Sequence, residues 1–150
     1  MVKGHLDISN PLVTKEDLQD HTGVGALIYN NEGKVLFFHH VKYNFWTLPI
    51  GKCSIWDNPF VAIQKELNEE LGISVPYDFL NGIGSFTKIY DRGNNIVTTI
   101  DQILFEVTNY SGDVMNREPH KHDIMEWLDL NYLDKDHVSD MTLFARLLKR

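Results

Sequence analysis

The segment from residue 58 to residue 72 constrains the fold most, because its sequence defines both ends of a helix. Asn58, or Asp57 before it, can cap the helix, and Pro59 suits the first helical position. Apolar residues recur at helical spacing and predict one buried stripe, formed by Phe60, Ile63, Leu67 and Leu71. Gly72 can adopt a positive φ and ends the helix there.

Strand-like runs precede this helix. Residues 24–29 and 34–41 are rich in β-branched or aromatic side chains, and residues 30–33 (NNEG) supply a turn between them. We therefore predict a β-hairpin, followed by an extended segment (YNFWTLP) and a loop over residues 50–58.

The chain after the helix predicts two more strands around the turn at residues 91–95, a strand at 124–128 and a Leu-rich helix at 143–148. Residues 14–19 (TKEDLQ) form either a short helix or an arm. The order strands, helix, strands, helix predicts an α+β fold or a layered α/β/α arrangement with a mixed sheet. A length of 150 residues suits a single domain spanning 1–150.

Charge and cysteine content exclude several classes of function. The formal net charge of -7 disfavours non-specific nucleic-acid binding and repels phosphates, unless a bound cation reverses the local sign. No apolar run approaches the roughly 20 residues that span a bilayer, and the N-terminus has no secretory h-region. Cys53 is the single cysteine, so we predict a reduced, cytoplasmic protein without a membrane partner.

Three acidic residues crowd the end of the predicted helix. Glu66, Glu69 and Glu70 share one flank at i, i+3 and i+4, where like charges cost about 0.2–0.5 kcal/mol per pair. Carboxylates at a helix C-terminus also oppose the macrodipole. The cluster is either a solvated acidic face or a set of hard oxygen donors for Mg²⁺ or Mn²⁺.

The residues around this cluster resemble the Nudix box, Gly-x5-Glu-x7-Arg-Glu-U-x-Glu-Glu-x-Gly-U, where U is a bulky aliphatic residue. The match runs from Gly51 to Ile73 without a gap, and FWTLP upstream resembles the family's approach to the box. Asp57 stands where the family has Glu. Lys65 stands where it has Arg, so the planar fork of the guanidinium is lost.

The resemblance implies the Nudix α/β/α sandwich and a set of functional residues. Glu66, Glu69 and Glu70, with the backbone carbonyl of Gly51, would bind one to three Mg²⁺ or Mn²⁺ ions, and Lys65 would help orient the carboxylates. The segment NREPHKH is similar to a Glu-Pro-x-Lys stretch of the family and makes Glu118 an additional carboxylate. The general base is then either Glu69 or Glu118.

The activity that the resemblance implies is metal-dependent hydrolysis of the pyrophosphate linkage in a nucleoside diphosphate derivative. Nucleoside triphosphates, nucleotide sugars such as ADP-ribose, and dinucleotides all stay open as substrates. Hydrolysis at an RNA 5′ end is an alternative, although the acidic charge makes a nucleic-acid partner unlikely. A catalytically weak nucleotide sensor is another alternative. Homodimers are frequent in the family, and the sequence does not choose an oligomeric state.

Aromatic and basic residues in predicted loops are candidates for substrate binding. Tyr43, Trp46, Trp56 and Tyr90 offer stacking surfaces for a nucleobase, although core packing explains any one of them equally simply. Phosphate-binding candidates are Arg92, Lys52 and Lys88. Strand alternation sends His39 and His40 to opposite faces, so they do not form one site. His120 and His122 are read as exposed loop residues with a possible phosphate contact, and Cys53 as incidental.

Overall fold

The computed structural model describes residues 2–3 and 8–150. Its strands are β1 (Val2–Lys3), β2 (His21–Leu27), β3 (Val35–His40), β4 (Phe45–Thr47), β5 (Ile50–Cys53), β6 (Leu80–Gly93), β7 (Ile96–Val107) and β8 (His122–Leu128). Its helices are α1 (Lys15–Leu18), α2 (Pro59–Leu71) and α3 (Asp140–Leu148), with 3-10 turns at Tyr77–Phe79 and Lys135–His137. Across these described ranges, no helix is long and apolar enough to cross a membrane.

The strands form two sheets. The larger sheet is mixed, with the order β1-β6-β7-β2-β5, in which β2 runs parallel to β7 and antiparallel to β5. The smaller sheet, β4-β3-β8, is antiparallel. Strand β5 therefore forms one edge of the larger sheet, directly before α2.

Side chains on the two faces of the larger sheet enter two separate hydrophobic clusters. Val24 and Ala26 of β2 pack in one cluster with the buried stripe of α2, whereas Leu27 packs in the other with Met141 and Ala145 of α3. The two helices thus cover opposite faces of the sheet. This arrangement confirms the predicted α/β/α sandwich with a mixed sheet.

The predicted hairpin of the first two long strands is wrong, although its turn is present. Asn30 Oδ1 accepts hydrogen bonds from the backbone N–H groups of Glu32 and Lys34, and Gly33 has a φ of 75°. Beyond one bridge between Tyr29 and Val35, however, β2 pairs with β5 and β7, and β3 pairs with β4 and β8. Pairing with distant strands separates the two arms of the turn into different sheets.

Other elements predicted from local sequence agree more closely with the structure. Strands β6 and β7 form the predicted hairpin, with a two-residue turn at Asn94 and Asn95, both at positive φ. The short helix α1 begins after Thr14, and α3 begins at Asp140, three residues before the predicted start. The loop predicted over residues 50–58 is partly wrong, because Ile50–Cys53 pairs with β2 as strand β5.

Candidate functional site

Helix α2 carries the acidic cluster and is fixed at both ends as the sequence predicts. The Asn58 side chain accepts a hydrogen bond of 2.9 Å from the backbone N–H of Phe60, and Gly72 closes the helix at a φ of 74°. Ile63, Leu67 and Leu71 are fully buried. This packing sets the rotation of α2 and thereby decides which glutamates face inward.

Glu66 and Glu70 form a neighbouring carboxyl pair at this end of the helix, in which Glu70 is buried and Glu66 is half-buried. Glu70 is only 3% exposed, and its Oε2 has no hydrogen-bond partner among the described residues. Burial raises the pKa of Glu70 well above its usual range, and the adjacent Glu66 carboxylate raises it further. Burial also raises the pKa of Glu66. Two carboxyl groups that resist ionisation together would be stabilised by a cation between them.

Gly51 lies directly against Glu66. A Cβ atom at this position would come within 2.3 Å of Glu66 Cγ and 2.5 Å of Cδ, which is closer than any side chain permits. Gly51 pairs with Val24 in the sheet, so its backbone has little freedom to move away. The glycine that begins the box-like segment is therefore required by the close approach of the Glu66 side chain to β5.

Glu69 and Lys65 lie apart from the acidic pair. Their side chains are 49% and 72% exposed, and the Lys65 ammonium is 3.9 Å from a Glu69 carboxylate oxygen. Glu66 and Glu70 line a cleft of about 510 Å³, and neither Glu69 nor Lys65 is among its lining residues. The three glutamates predicted to act together are thus divided into a pair that lines the cleft and an exposed neighbour.

Glu118 lies near the acidic pair. The backbone N–H of Arg117 donates a 2.9 Å hydrogen bond to the Glu70 carbonyl, which holds this segment against the end of α2, and the charge of Glu118 contributes to raising the pKa values of Glu66 and Glu70. Glu118 Oε2 lies 3.3 Å from the Lys121 ammonium, whereas Oε1 is buried without a hydrogen-bond partner in the described structure. The role of Glu118 as an additional carboxylate of the site stays a prediction.

His122 differs from its prediction as an exposed loop residue. It begins β8, is 1% exposed and stacks on Phe38 with ring centroids 4.0 Å apart. Burial lowers its pKa to about 4, so the ring is neutral at physiological pH. Its Nε2 lies 4.0 Å from Glu70 Oε1, and it forms the apolar backing of the acidic pair.

The chemistry of these donors suits a hard divalent cation. Within residues 8–150, no three His, Cys, Asp or Glu side chains are already arranged to hold a metal ion. Nevertheless, Glu70 Oε2 and Glu118 Oε1 are buried oxygens without a hydrogen-bond partner in the part of the chain that the structure describes, and such groups are costly unless something binds them. Carboxylate and carbonyl oxygens are the donors that Mg²⁺ and Mn²⁺ prefer.

A cleft of about 510 Å³ extends from the acidic pair across the α3 side of the larger sheet. Tyr43, Tyr90 and Arg92, all predicted to bind substrate, line it. The Arg92 guanidinium lies 4.6 Å from the centre of the Tyr90 ring. The cleft thus combines aromatic surface, cationic groups and an acidic end.

The two predicted tryptophans lie elsewhere. Trp46 packs beside the α3 hydrophobic cluster and contacts the edge of His39, and Trp56 is 88% exposed in the loop before α2. Neither is among the residues that line the cleft. Their role in substrate binding stays a prediction.

Sequence reasoning missed Asp17, which lies at the cleft wall and is 2% exposed. Its carboxylate accepts a hydrogen bond of 2.8 Å from the Thr14 backbone N–H and binds the ammonium groups of Lys42 and Lys52. The sequence signal was the capping pair Thr14 and Asp17, which predicts the start of a helix. It carries no information about the two lysines.

Comparison with known proteins identifies the family. Residues 19–148 match the NUDIX domain, which covers most of the chain. The chain belongs to the Nudix family. This confirms the resemblance of the segment from Gly51 to Ile73 to the Nudix box. Nudix proteins generally use a divalent metal ion such as Mg²⁺, in keeping with the oxygen donors of the site.

Solved Nudix structures share this fold. The MutT NUDIX hydrolase from Burkholderia pseudomallei superposes with a TM-score of 0.71 at 24% identity, over 88% of this chain and 99% of that one. The E. coli ORF135 protein gives a TM-score of 0.64 at 20% identity, over 91% of each chain. Because both identities are below 25%, the similarity establishes only that the fold is shared.

Two relatives of this Nudix chain have names that refer to RNA. It is 28% identical over 112 residues to the mRNA-decapping enzyme subunit 2 of Saccharomyces cerevisiae (strain YJM789), covering 74% of this chain and 11% of that protein. It is 34% identical over 50 residues to the RNA pyrophosphohydrolase of Acinetobacter baylyi, covering 33% of this chain and 30% of that protein. The chain therefore spans less than a third of the length of these relatives.

Proposed function

We propose that this protein is a divalent-metal-dependent pyrophosphohydrolase that cleaves a phosphoanhydride bond in a nucleoside diphosphate derivative. The observation that carries the proposal is the carboxyl pair of half-buried Glu66 and buried Glu70 at one end of a cleft of about 510 Å³, in a segment with the register of the Nudix box. A bound Mg²⁺ or Mn²⁺ ion would neutralise phosphate oxygens and acidify a water molecule.

The side chains of the site would have different roles, which follow from their positions. Glu66 and Glu70, together with the Gly51 carbonyl, would hold one to three ions, and Glu69 would join them from the exposed flank. Tyr43 would flank the nucleobase, and Arg92, which lies over the buried ring of Tyr90, would bind phosphate or stack with the base. Hydrolysis also needs a group that accepts the proton of the attacking water.

Glu118 is the better candidate for that proton acceptor. Its Oε1 is buried and lacks a hydrogen-bond partner among the described residues, whereas the Glu69 side chain is 49% exposed. A base must lie within hydrogen-bond reach of the water that it activates. Glu118→Gln should therefore lower kcat more than Glu69→Gln does.

The test is turnover on a panel of nucleoside triphosphates, nucleotide sugars, dinucleotides and 5′-triphosphorylated RNA, with Mg²⁺, with Mn²⁺ and with EDTA. Glu66→Gln should lower kcat by about 100-fold or more, since even residues that only support metal ligands cost about 10–100-fold. The control is Glu32→Gln, a change of the same charge in an exposed turn. A Glu66→Gln variant with wild-type kcat would reject the assignment.

RNA 5′-end hydrolysis is the second candidate, and the names of the yeast and Acinetobacter relatives favour it. The net charge of -7 opposes contact with a long phosphate backbone. If RNA is the substrate, 5′-triphosphorylated oligonucleotides should be cleaved faster than free nucleoside triphosphates. Absence of turnover on the whole panel with either metal would instead favour a nucleotide sensor.

We also propose a cytoplasmic protein, which the single unpaired thiol of Cys53 supports. A homodimer is the oligomeric state to test first, by light scattering of the purified protein.

A further inference from the structure

The cleft contains a second charged centre, which consists of Asp17, Lys42 and Lys52. Lys42 Nζ lies 3.0 Å from Asp17 Oδ2 and 3.2 Å from Oδ1, and Lys52 Nζ donates to the same Oδ1. The Tyr43 hydroxyl lies 3.4 Å from that oxygen. Because both ammonium groups contact one oxygen, they lie close enough to bind one phosphate group together.

This lysine pair, Lys42 and Lys52, faces the cleft from two different parts of the chain. Lys42 precedes β4, and Lys52 lies on β5 next to Gly51. Successive side chains of a strand point to opposite faces, so Lys52 points away from the face on which Glu66 touches Gly51. The lysine pair and the acidic pair therefore occupy different parts of the same cleft.

The lysine pair stays accessible while its carboxylate does not. The side chains of Lys42 and Lys52 are 19% and 33% exposed, whereas that of Asp17 is 1% exposed. Each ammonium has three N–H donors, and the single carboxylate cannot use all of them. Donors therefore remain available toward the cleft.

The local charge favours an anion. Burial alone would raise the pKa of Asp17, but hydrogen bonds from Lys52, the Thr14 backbone and Lys42 hold it well below its usual range. Two ammonium groups and one carboxylate leave a net charge of about +1 at this centre, and the charges of Arg92 and Asp140, which also line the cleft, offset each other. Burial lowers the pKa of His21 at this wall, so its ring adds no charge at neutral pH.

We propose that Asp17 positions Lys42 and Lys52 as a preformed site for a substrate phosphate other than the diphosphate bound near Glu66 and Glu70. This deepens the proposed function and rests on it: the enzyme would prefer substrates with a third phosphate over diphosphate sugars. Asp17 precedes residues 19–148, which match the NUDIX domain, so this site depends on a segment of the chain outside that match.

The first test measures binding without metal, which separates it from the proposed hydrolysis. Inorganic tripolyphosphate is titrated into the protein in EDTA by calorimetry. The Asp17→Asn, Lys42→Gln, Lys52→Gln triple variant removes the centre with near-isosteric neutral groups, so no buried charge is left unpaired. We expect its affinity to fall about tenfold or more, as loss of charge-assisted hydrogen bonds implies.

The matched control is Lys34→Gln, which changes the net charge by the same -1 at a surface ion pair with Asp129. Its affinity should change less than about twofold. Equal weakening in both proteins, or none in the triple variant, would overturn the proposal, whether or not the protein hydrolyses any nucleotide.

The Asp17→Asn single variant tests positioning against simple attraction. It keeps both lysines and makes the cleft more positive, so electrostatics alone predicts tighter tripolyphosphate binding. Positioning predicts weaker binding, by about threefold or more, because the two ammonium groups separate into solvent. Tighter binding would refute the role of Asp17.

The second test uses turnover with Mg²⁺. In the triple variant, KM for a nucleoside triphosphate should rise about tenfold, while kcat/KM for ADP-ribose should change less than about threefold. Equal loss on both substrates would contradict the third-phosphate assignment. If the protein hydrolyses no substrate of the whole panel, the proposed function fails, and the binding experiment in EDTA still decides the phosphate site.

Discussion

Replacing Glu70 by Gln should make the metal-free protein more stable while removing its stabilisation by metal. Glu70 is 3% exposed, has one carboxylate oxygen without a partner among the described residues, and contacts Glu66. Each unit by which burial raises the pKa of a carboxyl group costs about 1.4 kcal/mol when the group must be ionised. Glutamine keeps the shape and can donate to Glu66, as a protonated Glu70 would, without needing to ionise. We therefore expect a gain of about 1–2 kcal/mol in EDTA, which is roughly 3–6 °C in Tm for a chain of this length.

Magnesium should reverse the order of stability. A ligand at about 100 times its Kd stabilises the folded state by about 2.7 kcal/mol, and the Gln variant loses most of that gain. Thermal unfolding of both proteins, in EDTA and in a Mg²⁺ series, measures the crossing directly. Glu32→Gln serves as the control and should follow the wild type under both conditions. A Gln variant that is less stable in EDTA, or that gains as much from Mg²⁺ as the wild type does, would refute the reasoning.

Three further predictions concern the walls of the site. Gly51→Ala should lower kcat about tenfold or more by displacing Glu66. The control is Gly82→Ala, which should keep its activity because the nearest atom to the added Cβ would be 3.8 Å away. Equal kcat values in both variants would contradict this prediction. Because the folded-state pKa of Asp17 is lowered, its stabilisation is complete above the unfolded pKa of about 3.9 and is lost as pH falls below it. Urea unfolding of Asp17→Asn should show about 2–3 kcal/mol lower stability at pH 7 and a flatter decline in acid, and an unchanged decline would count against the ion pairs. Tyr90→Ala should raise KM for nucleotides about tenfold, because Arg92 loses the ring over which it lies, while Tyr90→Phe keeps the ring and should not; a rise in both would point to the hydroxyl instead.

The elements that sequence predicts well are those that local signals define. Helix α2 has its cap, its stripe and its terminating glycine within 15 residues, and the β6–β7 hairpin has a turn of two asparagines. The failed hairpin has an equally good turn. Its strands nevertheless separate, because β2 pairs with β7, whose Ile103 lies opposite Val24 although it is far away in the chain. A local sequence pattern does not identify a strand partner that lies so far away in the chain.

The same distinction applies to the site. Helical spacing places Glu66, Glu69 and Glu70 on one flank, but only the packing of α2 beside β5 turns Glu66 and Glu70 toward the cleft and leaves Glu69 exposed. The position of Glu118 was accessible only through the family resemblance. Asp17 could not be predicted as a site residue, since its lysine partners follow it by 25 and 35 positions in segments without a shared motif.

The separation of the two hydrophobic clusters has an evolutionary consequence. The acidic helix is anchored in one cluster, whereas the floor of the cleft near Met141 and Ile50 belongs to the other. Free-energy effects of substitutions that share no contacts are close to additive. Mutations that reshape the floor can therefore accumulate without destabilising the helix that carries Glu66 and Glu70. Related proteins can then diverge in the substrates that they degrade while they keep the same acidic residues.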